Sequence, residues 1–427
     1  MNYLQKACAP FALAVACFPF LGFAATSASH TAPLRLEDAI RATVQYNPQL
    51  IGYDFKVKAL AGEQQTAALR PELRAAADVE NIAGTGEFKG TDGSELTLSV
   101  SSVIELGDQR DARMGLVTAR QQQLASAQRV LMLNVLTEVT HQFIQVVAAQ
   151  EQHNLVKEAR QLAQQTLDSL SQQVRAGKTP EADLWRAQAA LARAEIAVQR
   201  AAQGVRTARI TLSTYWADPA PSFSVAADLY GTPPALDLPD VQAQLATNPD
   251  ILLLAEDLQV RTAALRQARS EGRSKLEWNL GVRHMQTTDD TAMVAGISMP
   301  LGSTKRASGA IATARAEQQG IQLALDSTHI QLQAELRRLF EEHQQAVSEL
   351  TALRTQVLPA LKRAERETTA GFERGRYSYL EFNLAQHELL DAQQAYIETA
   401  VRVQGTRIDL ERITGAALNK KISEVNP

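Results

Sequence analysis

The chain has 427 residues, 43 Lys and Arg against 47 Asp and Glu, and 45% hydrophobic but only 5% aromatic content. A net charge of −4 supplies no basic footprint for nucleic acid, whose phosphates are met by clustered Lys and Arg. With 22 Gly and 15 Pro over this length, the abundance of Ala, Gln, Leu, Glu and Arg favours helices over an all-β or disordered chain.

At the start, Lys6 precedes an apolar run from Ala7 to Phe23, with Gly22 and Ala24 at the −3 and −1 positions of a cut after Ala24. That pattern reads as a secretory signal over residues 1–24. Cleavage removes Cys8 and Cys17, the only cysteines, and leaves a thiol-free chain suited to an oxidising compartment without disulfides. A short membrane anchor is one alternative. Lipid attachment at Cys17 is another, although Ala14 stands where a lipidation motif prefers Leu. Beyond the signal no run of about 18 consecutive apolar residues occurs, so any crossing of a bilayer is expected to be by strands.

The rest is one unit written twice. Val174-Arg-Ala-Gly177-Lys-Thr-Pro-Glu-Ala-Asp183-Leu184 aligns with Phe372-Glu-Arg-Gly375-Arg-Tyr-Ser-Tyr-Leu-Glu381-Phe382 at an offset of 198, and Ala187, Gln188, Leu191 and Ala194 recur as Ala385, Gln386, Leu389 and Ala392. Asn47-Pro48 recurs as Asn248-Pro249, and Leu106-Gly107 as Leu301-Gly302, at offsets of 201 and 195. Such drift means a duplicated unit with loops of unequal length. The expected division is a first repeat over 25–216, a proline-rich connection over 217–240, a second repeat over 241–415 and a tail over 416–427.

Each repeat opens with helix, to Pro71 in the first and near Gly272 in the second, then gives two alternating segments and a long helical hairpin. Strands are expected over about 73–83 and 95–106, and over about 275–285 and 292–301. In Leu96-Thr-Leu98-Ser-Val100-Ser-Ser102-Val-Ile104-Glu-Leu106 one face is mostly apolar and the other mostly Thr, Ser and Glu, over a length that crosses an outer membrane at a tilt. Four strands cannot close a barrel alone, and a soluble sheet with covered edges is the competing reading.

The hairpins, over about 108–216 and 303–415, carry almost no breakers except near Gly177 and Gly375, and two arms of roughly 50 to 65 residues each are expected to reach 75 to 100 Å. Their returning arms keep a seven-residue period through Leu184, Leu191, Val198, Val205 and Leu212 and through Phe382, Leu389, Tyr396, Val403 and Leu410. Ala187 and Ala194, and Ala385 and Ala392, lie between these positions, so the seam is built for close helix packing.

This layout resembles the TolC family of outer-membrane efflux proteins over essentially the whole exported chain. The two Asn-Pro starts, the strands ending at Leu106-Gly107 and Leu301-Gly302, the tips at Gly177 and Gly375 and the closing Leu410-Glu-Arg-Ile-Thr-Gly415 carry the likeness. The resemblance implies a mainly α fold with a small β part: long coiled-coil hairpins plus four transmembrane strands per subunit, completed as a homotrimer with a twelve-stranded barrel and an α-helical tunnel. It implies a periplasmic adaptor, an inner-membrane RND pump and outer-membrane lipid as partners, with no cofactor. Ile297-Ser-Met-Pro-Leu-Gly302 and Gly375-Arg-Tyr-Ser-Tyr-Leu-Glu381-Phe look most like the heavy-metal, cobalt-zinc-cadmium branch. Drug-efflux and type I secretion channels share the scaffold.

In that family acidic residues and interhelical links pinch the tunnel near the tips, and six residues after each tip glycine this chain has Asp183 and Glu381. By resemblance they form a ring of negative charge that favours cations. A first-turn carboxylate on the helix dipole is the simpler alternative. A second acidic layer one turn on would fall at Arg186 and Leu384, so it is absent or moved. The tips, with Arg175, Gly177, Lys178 and Thr179 in one and Arg374, Gly375, Arg376 and Tyr377 in the other, are expected to meet the adaptor, or simply to turn the chain.

The chain contains no Gly-rich phosphate loop, no Gly-x-Ser-x-Gly and no His-Glu-x-x-His, and the seven histidines have no ligand spacing with one another. Neither an enzyme nor a tight metal site is expected. A periplasmic coiled-coil adaptor or rod would explain the heptads but not four alternating segments placed alike in both halves.

Overall fold

A computed structural model of the chain describes residues 33–231 and 234–415; the expected signal, both cysteines and the tail over 416–427 lie outside the described residues. The elements run α1 (Leu36–Tyr46), α2 (Pro48–Ala68), β1 (Arg74–Glu80), β2 (Glu95–Glu105), α3 (Gln109–Arg175), α4 (Glu181–Ser213), α5 (Leu238–Gln244), α6 (Pro249–Glu271), β3 (Lys275–Met285), β4 (Asp290–Ser298), α7 (Ser303–Ala352), α8 (Leu358–Glu373) and α9 (Tyr379–Thr414). The fold is mainly helical, with one four-stranded antiparallel sheet in the order β1-β2-β3-β4.

The repeated Asn-Pro pairs start α2 and α6 by the same device. Asn47 Oδ1 accepts the N–H groups of Gln49 and Leu50 at 2.9 and 3.3 Å, and its Nδ2 donates to the Tyr215 carbonyl at 2.9 Å. Asn248 Oδ1 accepts those of Asp250 and Ile251 at 2.8 and 3.0 Å, and its Nδ2 donates to the Ile413 carbonyl at 2.7 Å. Proline at the first helical position has no N–H to leave unsatisfied there. Each cap therefore also ties the start of a repeat to the end of its own hairpin.

The arms of each hairpin are unequal, which corrects the expectation of 50 to 65 residues apiece. α3 has 67 residues, about 100 Å, whereas its return α4 has 33 and α9 has 36. The rest of the α3 flank is filled by α6, through Gln123 Nε2 donating to Asp257 at 2.9 Å, and α6 in turn meets α7 through Arg261–Glu317 at 3.1 Å. The outgoing arm of the second hairpin is also interrupted: residues 353–357 form a π turn just before Pro359. Proline cannot donate to the carbonyl four residues back and its ring crowds that carbonyl, so the ladder widens locally. Pro359 is thus a breaker inside an arm expected to run without one.

Strand ends shift for equally local reasons. β1 stops at Glu80, short of residue 83, because Asn81 and Ala83 adopt left-handed φ values of 59° and 57°. β4 spans Asp290–Ser298 rather than about 292–301, stopping before Pro300 and the left-handed Gly302, φ 81°.

The main core lies midway along the hairpins, where Val135, Val139, Phe143, Val146 and Val147 of α3 meet Ala400 and Val403 of α9. This burial accounts for the most apolar stretch of α3, which has mean hydropathy 1.3, passes by length and composition as a membrane span, and is 56% buried within the protein. The proline-rich connection is a strap across this core. Phe223, Val225 and Leu229 enter it, both amide atoms of Gln150 bond the Val225 backbone at 3.1 Å, and Tyr230 stacks on Tyr396 at 4.7 Å.

Candidate functional site

Two parts of the molecule carry functional geometry, the sheet and the hairpin tips. The sheet is apolar on its open face. Leu96, Leu98, Val100 and Ile104 of β2 stand opposite His284, Val282, Leu280 and Leu276 of β3, and Val282 and Trp278 stand opposite Met293 and Ile297 of β4. Met293 and Ile297 are 76% and 75% exposed. The other face carries Asp78, Glu80, Glu95, Thr97, Ser99, Ser101, Glu277, Asn279 and Arg283. There Arg283 joins three strands, reaching Glu95 at 2.8 Å, Thr97 at 3.0 Å and Glu80 at 3.1 Å. Mid-sheet this face is lined by small residues, and at Gly296 a Cβ would overlap the Asn279 side chain. β1 and β4 are unpaired edges among the described residues.

Both tips close with the same turn. Lys178 N–H donates to the Gln173 carbonyl and Gly177 N–H to that of Val174, each at 2.9 Å, while Arg376 N–H donates to Gly371 at 2.8 Å and Gly375 N–H to Phe372 at 2.9 Å. This pair of bonds satisfies the last helix carbonyls and requires a left-handed residue, and Gly177 and Gly375 have φ of 71° and 73°. Arg175, Lys178, Arg374, Arg376 and Tyr377 are exposed. The half-buried Thr179 donates to Gln173 Oε1 at 3.0 Å. At the equivalent pair the Tyr377 ring lies over Gly371, where a Cβ would overlap it.

The two tip carboxylates are not equivalent. Asp183 accepts from Arg186 at 3.1 Å and its side chain is only 17% exposed. It faces the joint between the hairpins, where Leu170, Ala187, Phe372, Tyr379 and Phe382 pack together. Burial first and the Asp183 charge second push the Tyr379 phenol up. Glu381 is exposed and bonded to its own cap: its Oε2 accepts from both the N–H and Oγ of Ser378 at 2.8 Å, and Ser378 Oγ accepts the Glu381 N–H at 3.3 Å. The Ser378 N–H and hydroxyl hold its carboxyl below the usual carboxylate range. No hydrogen bond or ion pair joins Asp183 to Glu381 among the described residues.

Of the packing-seam positions, Ala187, Phe382 and Ala392 are buried, and Leu184, Leu191, Ala194, Ala385 and Leu389 are half-buried. Several of them line a cleft of about 520 Å³ between the two hairpins, with Ala187 and Ala194 facing Tyr379 and Leu389. The joint at Tyr379 and the three-strand link at Arg283 escaped the sequence reading. The first lay in the Ser-Tyr-Leu-Glu motif without a partner, and the second needs the register between strands from different repeats. No group of three or more His, Cys, Asp or Glu able to hold a metal occurs among the described residues.

Residues 57–218 match the family model described as outer membrane efflux protein. The cobalt-zinc-cadmium resistance protein CzcC of Cupriavidus metallidurans is 27% identical over 323 residues, covering 75% of this chain and 77% of that protein. The solved structure of the Campylobacter jejuni CmeC outer membrane channel superposes with a TM-score of 0.75 at 15% identity, over 91% of this chain and 89% of its own. CusC, whose structures describe transmembrane channel formation, gives 0.74 at 15% identity over 89% and 91%.

Proposed function

We propose that the chain is an outer membrane efflux protein, as the match over residues 57–218 supports, and that three copies close a twelve-stranded barrel in the outer membrane and continue it as a helical tunnel through the periplasm. The observation that carries this reading is the sheet: apolar outward, polar inward, and open at both edges, an arrangement that suits lipid outside and water inside once neighbours supply the missing strands. Exposed apolar side chains at heptad-compatible spacing support lateral packing of the helices with other copies. They include Trp185, Ile196 and Ile210 on α4 and Leu323 and Ile330 on α7.

The duct is passive. An inner-membrane RND pump supplies the work, and a periplasmic adaptor engages the tips around Gly177 and Gly375. Heavy-metal cations are the proposed cargo, a reading supported by the resemblance to CzcC. Asp183 and Glu381, three copies of each, would then line the narrow end and favour cations.

Two measurements test this. The mass of the detergent-extracted complex should correspond to three chains, and a monomer that needs no detergent would overturn the barrel. A strain lacking the protein should become hypersensitive to zinc, cobalt or cadmium. Sensitivity to dyes, detergents and antibiotics without metals would keep the duct and overturn the cargo.

A further inference from the structure

The apolar face of the sheet ends abruptly toward the helices. Leu73, Leu106, Met299 and Leu301 continue its parity, with Leu73 70% and Leu301 83% exposed. Immediately past them come Arg70, Arg110, Arg269, Arg273, Lys305 and Arg306, all exposed. In the four stretches 68–74, 105–113, 265–275 and 299–306, ten Arg and Lys stand against five Asp and Glu, in a chain that is acidic as a whole. The opposite end of the sheet has the reverse balance. There Glu80, Asp92, Glu95, Asp289 and Asp290 outnumber Lys89 and Arg283, and Arg283 is held by two carboxylates.

The collar's charges are also left free. Arg74, Arg113 and Arg266 at this level pair with Glu72, Glu105 and Asp108, but none of the six outer residues has an ion pair with a carboxylate among the described residues. Arg110 donates its Nε to the Ala68 carbonyl at 2.7 Å, which fixes the guanidinium while leaving its terminal N–H groups available. A planar guanidinium with free donors beside an apolar band matches a phosphate lying at the edge of a hydrocarbon layer.

We propose that Arg70, Arg110, Arg269, Arg273, Lys305 and Arg306 form a collar that binds the anionic headgroups of phospholipids in the leaflet on the helical side of the sheet, in preference to zwitterionic lipid. The proposal rests on the membrane reading above. Charge complementarity and continuity with the apolar face point to this occupant, and the acidic far end gives the sheet a fixed polarity in the bilayer.

Trp278 lies on the apolar face, away from Trp185 and Trp216 on the helical body, and reports the lipid beside it. The full-length protein is reconstituted in vesicles containing brominated phosphatidylglycerol or brominated phosphatidylcholine, and quenching of the lipid-accessible tryptophan gives the relative affinity. The wild type should prefer the anionic lipid by about tenfold at low salt, as expected for several basic side chains at a charged surface. The preference should fall toward one in the combined Arg70→Gln, Arg269→Gln, Lys305→Gln, Arg306→Gln variant, and in the wild type at high salt. Lys89→Gln, at the far end, should leave it unchanged. Equal quenching by both lipids in the wild type, or a preference that survives both the variant and salt, overturns the collar alone. Quenching by neither lipid overturns the membrane reading and the collar with it.

Discussion

The two repeats keep what the backbone demands and differ in what their side chains meet. Both start on an Asn-Pro cap tied to the end of the same repeat, and both turn through the same glycine motif. Around that shared frame Gln173–Thr179 is a polar pair and Gly371–Tyr377 is a ring on a glycine. Asp183 turns toward a joint with Arg186, while Glu381 closes its own cap. Duplication thus preserves geometry that has few solutions and frees side-chain chemistry that has many. Each chain offers two unlike tips.

The largest effect should come from the caps. Asn47→Ala and Asn248→Ala each lose a helix cap and leave a carbonyl unmet, partly buried at Tyr215 and buried at Ile413, about 2 to 3 kcal/mol in denaturant unfolding. Values differing by much more than 1 kcal/mol would mean that the two caps are not the same device. Next, Gly371→Ala must displace the Tyr377 ring and should cost about 1 to 3 kcal/mol, by the usual penalty of overpacking. Gln173→Ala, at the equivalent site, removes two partly buried side-chain hydrogen bonds, to Ser169 and Thr179, without overpacking anything and should cost no more than about 1 kcal/mol. Similar losses at both would break the contrast between the tips.

A subtler pair flanks α9. His141 Nε2–H donates to the Asp409 carboxylate at 2.9 Å, and His343 Nδ1 meets Thr406 Oγ1 at 3.0 Å in a buried position. The Asp409 carboxylate holds the His141 imidazole above its ordinary value, with Glu138 adding in the same sense, whereas burial and then Arg407 push His343 down. A raised base stabilises below its unfolded pKa and loses that contribution as pH rises through the folded one. A lowered base stabilises above and loses as pH falls. Acidification from about pH 7.5 toward 5.5 should therefore cost His141→Gln more stability than wild type and His343→Gln less. Thermal midpoints against pH check both signs.

The smallest change in stability, and the most direct test of the tips, is in conduction. Asp183→Asn and Glu381→Gln should each lower cation over anion permeability in planar bilayers, with Glu381→Gln weakening but keeping the cap on Ser378, because an amide oxygen still accepts the Ser378 N–H. Since the Glu381 carboxyl is held low, that cap contributes above the ordinary carboxylate range and is lost only as pH falls below about 4. Unaltered selectivity in both variants would leave Asp183 and Glu381 with a purely local role.

Much of this was legible because it is periodic or duplicated. Leu96 through Leu106 alternates cleanly, and the tip glycines sit at matching offsets. The Asn-Pro pairs were visible as repeats, but their second hydrogen bonds, to Tyr215 and Ile413, join residues more than 160 positions apart and leave no local pattern. Arg283 illustrates the same limit: its partners Glu80 and Glu95 belong to the other repeat, and only the β2–β3 register brings them together. The unequal arms could have been counted from the tip glycines outward, and Pro359 was plain in the sequence. Both were hidden by treating each hairpin as an uninterrupted, symmetric object.

The unpaired edges of β1 and β4 have a consequence for biogenesis. In hydrocarbon every bare backbone N–H and C=O costs several kcal/mol, with no water to relieve it. A single copy inserted alone would leave two such rows facing lipid. If three copies close the barrel as proposed, joining its neighbours and entering the bilayer are one thermodynamic event, and the amount of channel made should depend steeply on how many copies arrive together.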